Sequence, residues 1–260
     1  MKRWKGVAMA AVMVFLVSGP LRAQGNDQVK PVLPTKWSQL VDVDNGHDVY
    51  SFWPAGADFP AIVVADDWKC LNGLPVTDFH WWGSYIEGTP RSPSHEGAGV
   101  SSFELSIHSD VPADGAIPSH PGELLWRRDF LVGPAVQEIY YSPGEDHDIY
   151  QYTLLLSRSE DYFPQVENTI YWLNIIGRCS PDTVWGWHTA VRPGPLDAAV
   201  MIYDYDPFEG TYSRWLSLYD DQCNVQMAFE LTTIPEPATI GLVGTAALML
   251  AGLIYRRRMR

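Results

Sequence analysis

Along most of this chain hydrophobic and polar positions alternate, instead of recurring every third or fourth residue. Phe103, Leu105 and Ile107 fall on one side of such a ladder, and Glu104, Ser106 and His108 on the other. That period of two marks a half-buried strand. Short runs rich in Val, Ile, Tyr, Phe and Trp are separated by clusters of Gly, Pro, Asp, Asn and Ser. They predict strands over 61–68, 76–86, 102–108, 136–141, 150–156, 170–176, 184–190, 198–205, 214–219 and 225–231. Nowhere from Trp37 to Thr232 is a 3.6-residue period sustained. About ten short strands and no helix predict an all-β fold, a single antiparallel β-sandwich of jelly-roll type.

Both ends depart from this pattern. Lys2, Arg3 and Lys5 precede an apolar stretch from Gly6 to Val17, then Ser18-Gly19-Pro20 and Leu21-Arg22-Ala23. This order predicts a secretory signal peptide over 1–23, cleaved after Ala23. Residues 24–36, polar and holding Pro31 and Pro34, read as a linker, and 37–232 as one domain without internal repeats. From 233 to 260 the chain changes again: 19 uncharged residues lie between Glu236 and Arg256. As a helix they would span about 28 Å, close to the hydrocarbon thickness of a bilayer. A transmembrane helix is therefore predicted over about 238–255. Arg256, Arg257, Arg258 and Arg260 follow at once, a stop-transfer cluster that keeps this end in the cytoplasm and the preceding domain outside.

Pro235-Glu236-Pro237, the apolar helix and the closing arginine cluster together resemble the PEP-CTERM sorting signal of Gram-negative bacteria. The resemblance covers the last 27 residues. It implies recognition by an exosortase, a membrane-embedded processing enzyme, and a carrier associated with extracellular polysaccharide or biofilm. It also implies anchoring by the C-terminal helix first, then residence at the cell surface or outside after processing. Each proline fixes φ and disfavours helix before it, so Pro-Glu-Pro is a stiff extended segment that a protease can grip.

A second resemblance rests on Val76-Thr-Asp-Phe-His-Trp-Trp-Gly-Ser-Tyr85, Phe103-Glu-Leu-Ser-Ile-His-Ser-Asp-Val-Pro112, Pro121-Gly-Glu-Leu-Leu-Trp126, Ile170-Tyr-Trp-Leu-Asn174 and Trp185-Gly-Trp187. In this order they look like an uncharacterised domain of exported bacterial proteins that often precedes PEP-CTERM tails. That resemblance implies a β-sandwich and no particular activity.

The two terminal segments hide how acidic the domain is. They hold eight of the 18 basic residues and one of the 31 acidic ones, Glu236, leaving 10 basic against 30 acidic residues and a net charge of −20. Such a surface repels phosphate backbones and argues against nucleic acid as a partner. Cys70, Cys179 and Cys223 permit one disulfide in an oxidising compartment, with the pairing open.

The sequence carries no Gly-x-Ser-x-Gly, His-Glu-x-x-His or phosphate-binding glycine loop. None of the seven histidines has the close His or Cys spacing of a zinc site. The expectation is a non-catalytic protein. The alternatives are an enzyme acting on polysaccharide through two loop carboxylates, or a purely structural surface component. No cofactor is expected beyond a structural calcium ion, for which Asp42-Val-Asp44-Asn45, Asp66-Asp67, Glu145 to Asp148, Asp204-Tyr-Asp206 and Asp220-Asp221 offer oxygens, all placed at strand ends or in loops. The same residues also serve simply to open turns. Trp81, Trp82, Trp185 and Trp187 are candidate platforms for a sugar ring. Adjacent Trp81 and Trp82 must face opposite sides of a strand, and packing accounts for most of these aromatics.

Overall fold

The computed structural model describes residues 34–54, 62–85, 99–143, 148–180, 183–191, 196–203, 214–220 and 223–234. The signal peptide, most of the linker, the Pro235-Glu236-Pro237 motif, the 238–255 span and the terminal arginines lie outside them. Among the described residues no helix is long and apolar enough to cross a membrane.

The described chain is all-β, with two sheets packed together. The first sheet contains β1 (Thr35–Gln39), β2 (Asp48–Tyr50), β5 (Asp78–Tyr85), β8 (Val136–Pro143), β9 (Asp148–Leu155), β11 (Trp185–His188) and β16 (Phe229–Thr232). At its centre β5 pairs with β9 along one edge, and with β16 and then β11 along the other. The second sheet contains β3 (Phe52–Pro54), β4 (Ile62–Lys69), β6 (Val100–Val111), β7 (His120–Leu131), β10 (Ile170–Cys179), β12 (Val200–Tyr203) and β13 (Leu216–Ser217). Its order is β13-β12-β4-β3-β10-β6-β7, with β4 also paired to β10. Pairing is antiparallel except between β3 and β10. A small hairpin, β14 (Tyr219–Asp220) with β15 (Cys223–Asn224), stands apart from both sheets.

Each of the ten predicted runs contains strand residues. The missed strands are instructive. In β7 just two of twelve side chains, Pro121 and Trp126, are buried, because it is the free edge of its sheet. A strand with one buried face has a period to read; an edge strand has almost none. Strands β1, β2 and β3 are too short to show alternation. β1 begins at Thr35, inside the stretch predicted as linker.

The core lies between the sheets and is mostly aromatic. Phe103 of β6 reaches across to Trp81, Tyr152 and Trp185, with ring centroids 5.1, 4.8 and 4.9 Å away. The edge-to-face angles suit the charge distribution of the rings. Phe79 stacks on Trp126 across the same gap at 5.6 Å. Each enclosed ring contributes roughly 1.5–3 kcal/mol through its removal from water. Gly83 makes one contact possible, since a Cβ there would collide with the Trp185 ring and the Gly186 carbonyl.

The chain passes from the first sheet to the second at buried Ser51, and every polar group of that residue is bonded. Its N–H donates to Trp185 O (3.3 Å) and its carbonyl accepts from Gly177 N (3.0 Å). Its hydroxyl donates to Ile175 O and accepts from Val64 N. At the far end, Asp78 Oδ2 accepts from the hydroxyls of Thr77 and Thr232. Thr77 Oγ1 in turn accepts from Ile234 N at 2.8 Å. The fold thus holds the chain up to the residue before Pro235.

Candidate functional site

The outward side of the second sheet collects the chain's least expected groups. On β4, β6 and β10 the outward residues include Asp67, Glu104, Ser106, His108, Asp110, Trp172, Asn174 and Arg178. Their inward neighbours Trp68, Leu105, Ile107, Leu173 and Ile175 fill the core. Asp67, Trp172, Asn174, Glu104 and Ser106 are nonetheless buried. This face is polar by sequence and enclosed in the fold.

One end of it is an ion network. Glu104 accepts from Arg127 at 2.7 Å and from Arg178 at 2.6 Å, and Arg178 also reaches Asp129 at 3.1 Å. The Arg178 guanidinium lies 4.9 Å over the ring of Trp53, which is 42% exposed. Trp53 therefore joins an aromatic face to planar hydrogen-bonding groups at the surface.

Toward the other end, Trp172 Nε1 donates to Asp110 Oδ1 at 2.8 Å, and the Ser119 hydroxyl donates to the same oxygen. His108 is bonded at both ring nitrogens, to Gly122 O and Ser106 Oγ. Burial lowers its pKa, with Arg127 adding to the effect against the Gly122 carbonyl. Beside them Asp67 is fully enclosed, and neither carboxyl oxygen makes a hydrogen bond. Burial, then the charges of Asp197 and Asp110, push its pKa up to about 8. The backbone N–H groups of Asp197 and of Asp67 itself pull it partly back.

Asp66 points the other way, into the sandwich, and is well bonded. Its Oδ2 accepts from Met227 N at 2.6 Å and its Oδ1 from Asp67 N at 2.9 Å. The Gln39 amide, oriented by its neighbours, donates to Asp66 Oδ2 and Met227 O. Burial, then the adjacent Asp67, raise the Asp66 pKa well above the usual carboxylate range. The Met227 and Asp67 N–H groups pull it back.

A third buried titratable group is His188, whose Nδ1 lies 2.8 Å from Asp48 Oδ1 and whose Nε2 lies 3.0 Å from Asp42 O. Burial works against its charged form, but the Asp48 hydrogen bond and charge, with Asp42, outweigh it and raise the pKa. The 42–47 turn closes over this ring. Asp42 Oδ1 accepts from Asn45 N, and a Cβ on Gly46 would collide with the Asp42 carbonyl and His188 Nε2.

The four tryptophans predicted as a platform are packing residues. Trp81, Trp185 and Trp187 are completely enclosed between the sheets. Trp82, at 5% exposure, faces outward as the alternation requires and is covered by Val41 and Val43. Asp66 and Asp67 lie within β4, not at a strand end or in a loop. The Asp42–Asn45 stretch closes a turn on itself. Glu145, Asp204, Asp206 and Asp221 fall outside the described residues, as do His95 and His147. His80 bonds Thr153 Oγ1 and His120 bonds Pro118 O. Cys70 and Cys179 are both free and buried, so neither forms the disulfide that the count permitted. Burial pushes the Cys179 thiol up to about 12. Among the described residues no three His, Cys, Asp or Glu side chains are grouped to hold a metal ion. Sequence reasoning missed Trp53 and Asn174; alternation within β10 places Asn174 outward, but nothing in the chain signals what surrounds it.

No curated protein and no solved structure matches this chain. Residues 35–232 match the family described as a domain of unknown function, DUF7901. That span covers most of the 260 residues and all the strands of both sheets. The chain belongs to the DUF7901 family.

Proposed function

We propose that this is an exported cell-envelope protein, sorted through Pro235-Glu236-Pro237 by an exosortase-type enzyme, whose sandwich is a non-catalytic module among extracellular polysaccharide. In this reading the signal peptide ends at Ala23, and the helix over about 238–255, with Arg256, Arg257, Arg258 and Arg260 behind it, anchors the chain until processing. The observation that carries the reading is the order of segments after Ile234: an extended proline motif, 19 uncharged residues, then four arginines. The hydrogen bond from Ile234 N to Thr77 supports it, because a cut beyond that point leaves every strand in place. The sandwich is read as a jelly-roll variant, supported by the successive hairpins β6–β7 and β8–β9 belonging to different sheets.

Support for a binding role over catalysis comes from where the shifted groups sit. Asp66, Asp67 and His188 are enclosed, whereas a general acid or base must reach its substrate. The surface that would meet a sugar ring is Trp53 with Arg178, Arg127 and Asp129. Mass spectrometry of the mature C-terminus checks the sorting half: a product lacking the arginine cluster is expected, and an intact chain ending at Arg260 in the native host defeats it. A glycan array including the host's own polysaccharide checks the other half. Binding weakened by Trp53→Ala is expected, and no binding at all removes the polysaccharide role.

A further inference from the structure

Two enclosed oxygen donors on the outward face of the second sheet have nothing bonded to them. Asp67 is fully buried with both carboxyl oxygens unpartnered, and Asn174 Oδ1, on a residue 5% exposed, is likewise unpartnered. They face the same side: Asp67 pairs with Trp172 and Asn174 with Ala65, so the two side chains are diagonal neighbours across β4 and β10. Diagonal pairs in a sheet lie about 7–8 Å apart, with Cβ atoms somewhat closer. Oxygens on two such side chains can both reach a single ion with bonds of about 2.4 Å.

As a carboxylate Asp67 has both oxygens unpartnered, and a protonated carboxyl would still leave one of its two oxygens without a donor. Each enclosed polar atom left this way costs about 1–3 kcal/mol. Around the pair the field is negative, with Asp110 and Asp197 both acting on Asp67. Asp197, whose charge acts on Asp67, is itself exposed and marks the side nearest solvent. Unbonded oxygens in a negative field suit a hard cation. Calcium accepts carboxylate, amide and carbonyl oxygens and water in flexible numbers, whereas magnesium demands a strict octahedron. Because no three acidic, His or Cys side chains are grouped among the described residues, the donor set must be mixed.

We propose that Asp67 and Asn174 form the core of a calcium-sized cation site on the outward face of the second sheet, with Asp197 on the side nearest solvent. This rests on the fold and is independent of the sorting and polysaccharide reading. The test uses the exported chain stripped with EDTA, followed by calcium titration calorimetry and thermal unfolding. The expected result is one saturable calcium per chain and a higher Tm. Asp67→Asn and Asn174→Leu should each weaken calcium affinity about tenfold or more. Asp44→Asn, in the exposed 42–47 turn, should leave it unchanged. A stripped wild-type protein that ignores millimolar calcium overturns the proposal and assigns the space to buried water. Wild-type affinity in both Asp67→Asn and Asn174→Leu overturns it equally, by moving the ion elsewhere. If Asp67→Asn does not fold, Asn174→Leu decides alone.

Discussion

Asp66 and Asp67 are adjacent on one strand and equally hidden from water, yet they live in opposite circumstances. Asp66 faces into the sandwich and meets donors from Met227, Asp67 and Gln39. Asp67 faces outward, is also covered, and meets none. Burial and hydrogen-bond satisfaction are therefore separate properties in this fold. Inside the sandwich the aromatic rings interlock and Asp66 is held by amide donors, so the orphaned groups there are indole N–H groups, those of Trp68 and Trp81, and not carboxylates. The outward face of the second sheet is enclosed but unfinished. A folded protein leaves few buried polar atoms unbonded, and those it leaves ask for a ligand or a water.

The contrast can be broken first at the core. Phe103→Ala removes the ring that bridges Trp81, Tyr152 and Trp185, and should cost about 3–5 kcal/mol in chemical denaturation. A loss under about 1 kcal/mol would mean that the sheets are not held by this cluster. Next comes the satisfied acid. Asp66→Ala strands the Met227 and Asp67 N–H groups and the Gln39 amide, and should cost about 3 kcal/mol by the same measurement. In EDTA the neighbouring change Asp67→Asn should stay within about 1 kcal/mol of wild type, because no hydrogen bond is lost. Equal costs for the two would erase the distinction drawn between them.

Much of the sandwich was legible because a strand with one buried face writes its burial into alternate letters, as Phe103 to His108 do. Edge strand β7 was not, since a strand with few buried side chains leaves no such record. The tryptophans show a different limit. Alternation correctly puts Trp81 and Trp82 on opposite faces, but it cannot say that the Val41–Val43 segment returns to cover the second ring. The site was half legible. Asp66-Asp67 stands out as an acidic pair, yet reading it as a strand end or loop missed that it lies within a central strand. Asn174 and Trp53 became candidates through cross-strand register and a guanidinium stack, which are properties of three-dimensional neighbours.

The smallest expected effect concerns His188, a buried charge-bearing group that, unlike Asp67, is fully partnered. The charged and titratable groups facing it are Asp48 from β2 and Asp42 from the preceding turn, and both favour the imidazolium. Because its folded pKa is raised, the folded state binds the proton more tightly than the unfolded chain does. The stability this supplies is complete below about pH 6.5, the unfolded imidazole value, and is lost as pH rises through the raised folded value. Urea midpoints measured from pH 5 to pH 9 should therefore fall across that window in the wild-type chain, with the raised pKa values of Asp66 and Asp67 adding to the fall and Asp48→Asn isolating the His188 share. Asp48→Asn keeps a hydrogen-bonding side chain but removes the charge, and should flatten the fall while lowering stability most at the acid end. A midpoint that instead rises across the window would show that burial, not Asp48, decides the proton on His188. The partnered histidine would then belong with Asp67 among the groups this fold leaves uncompensated.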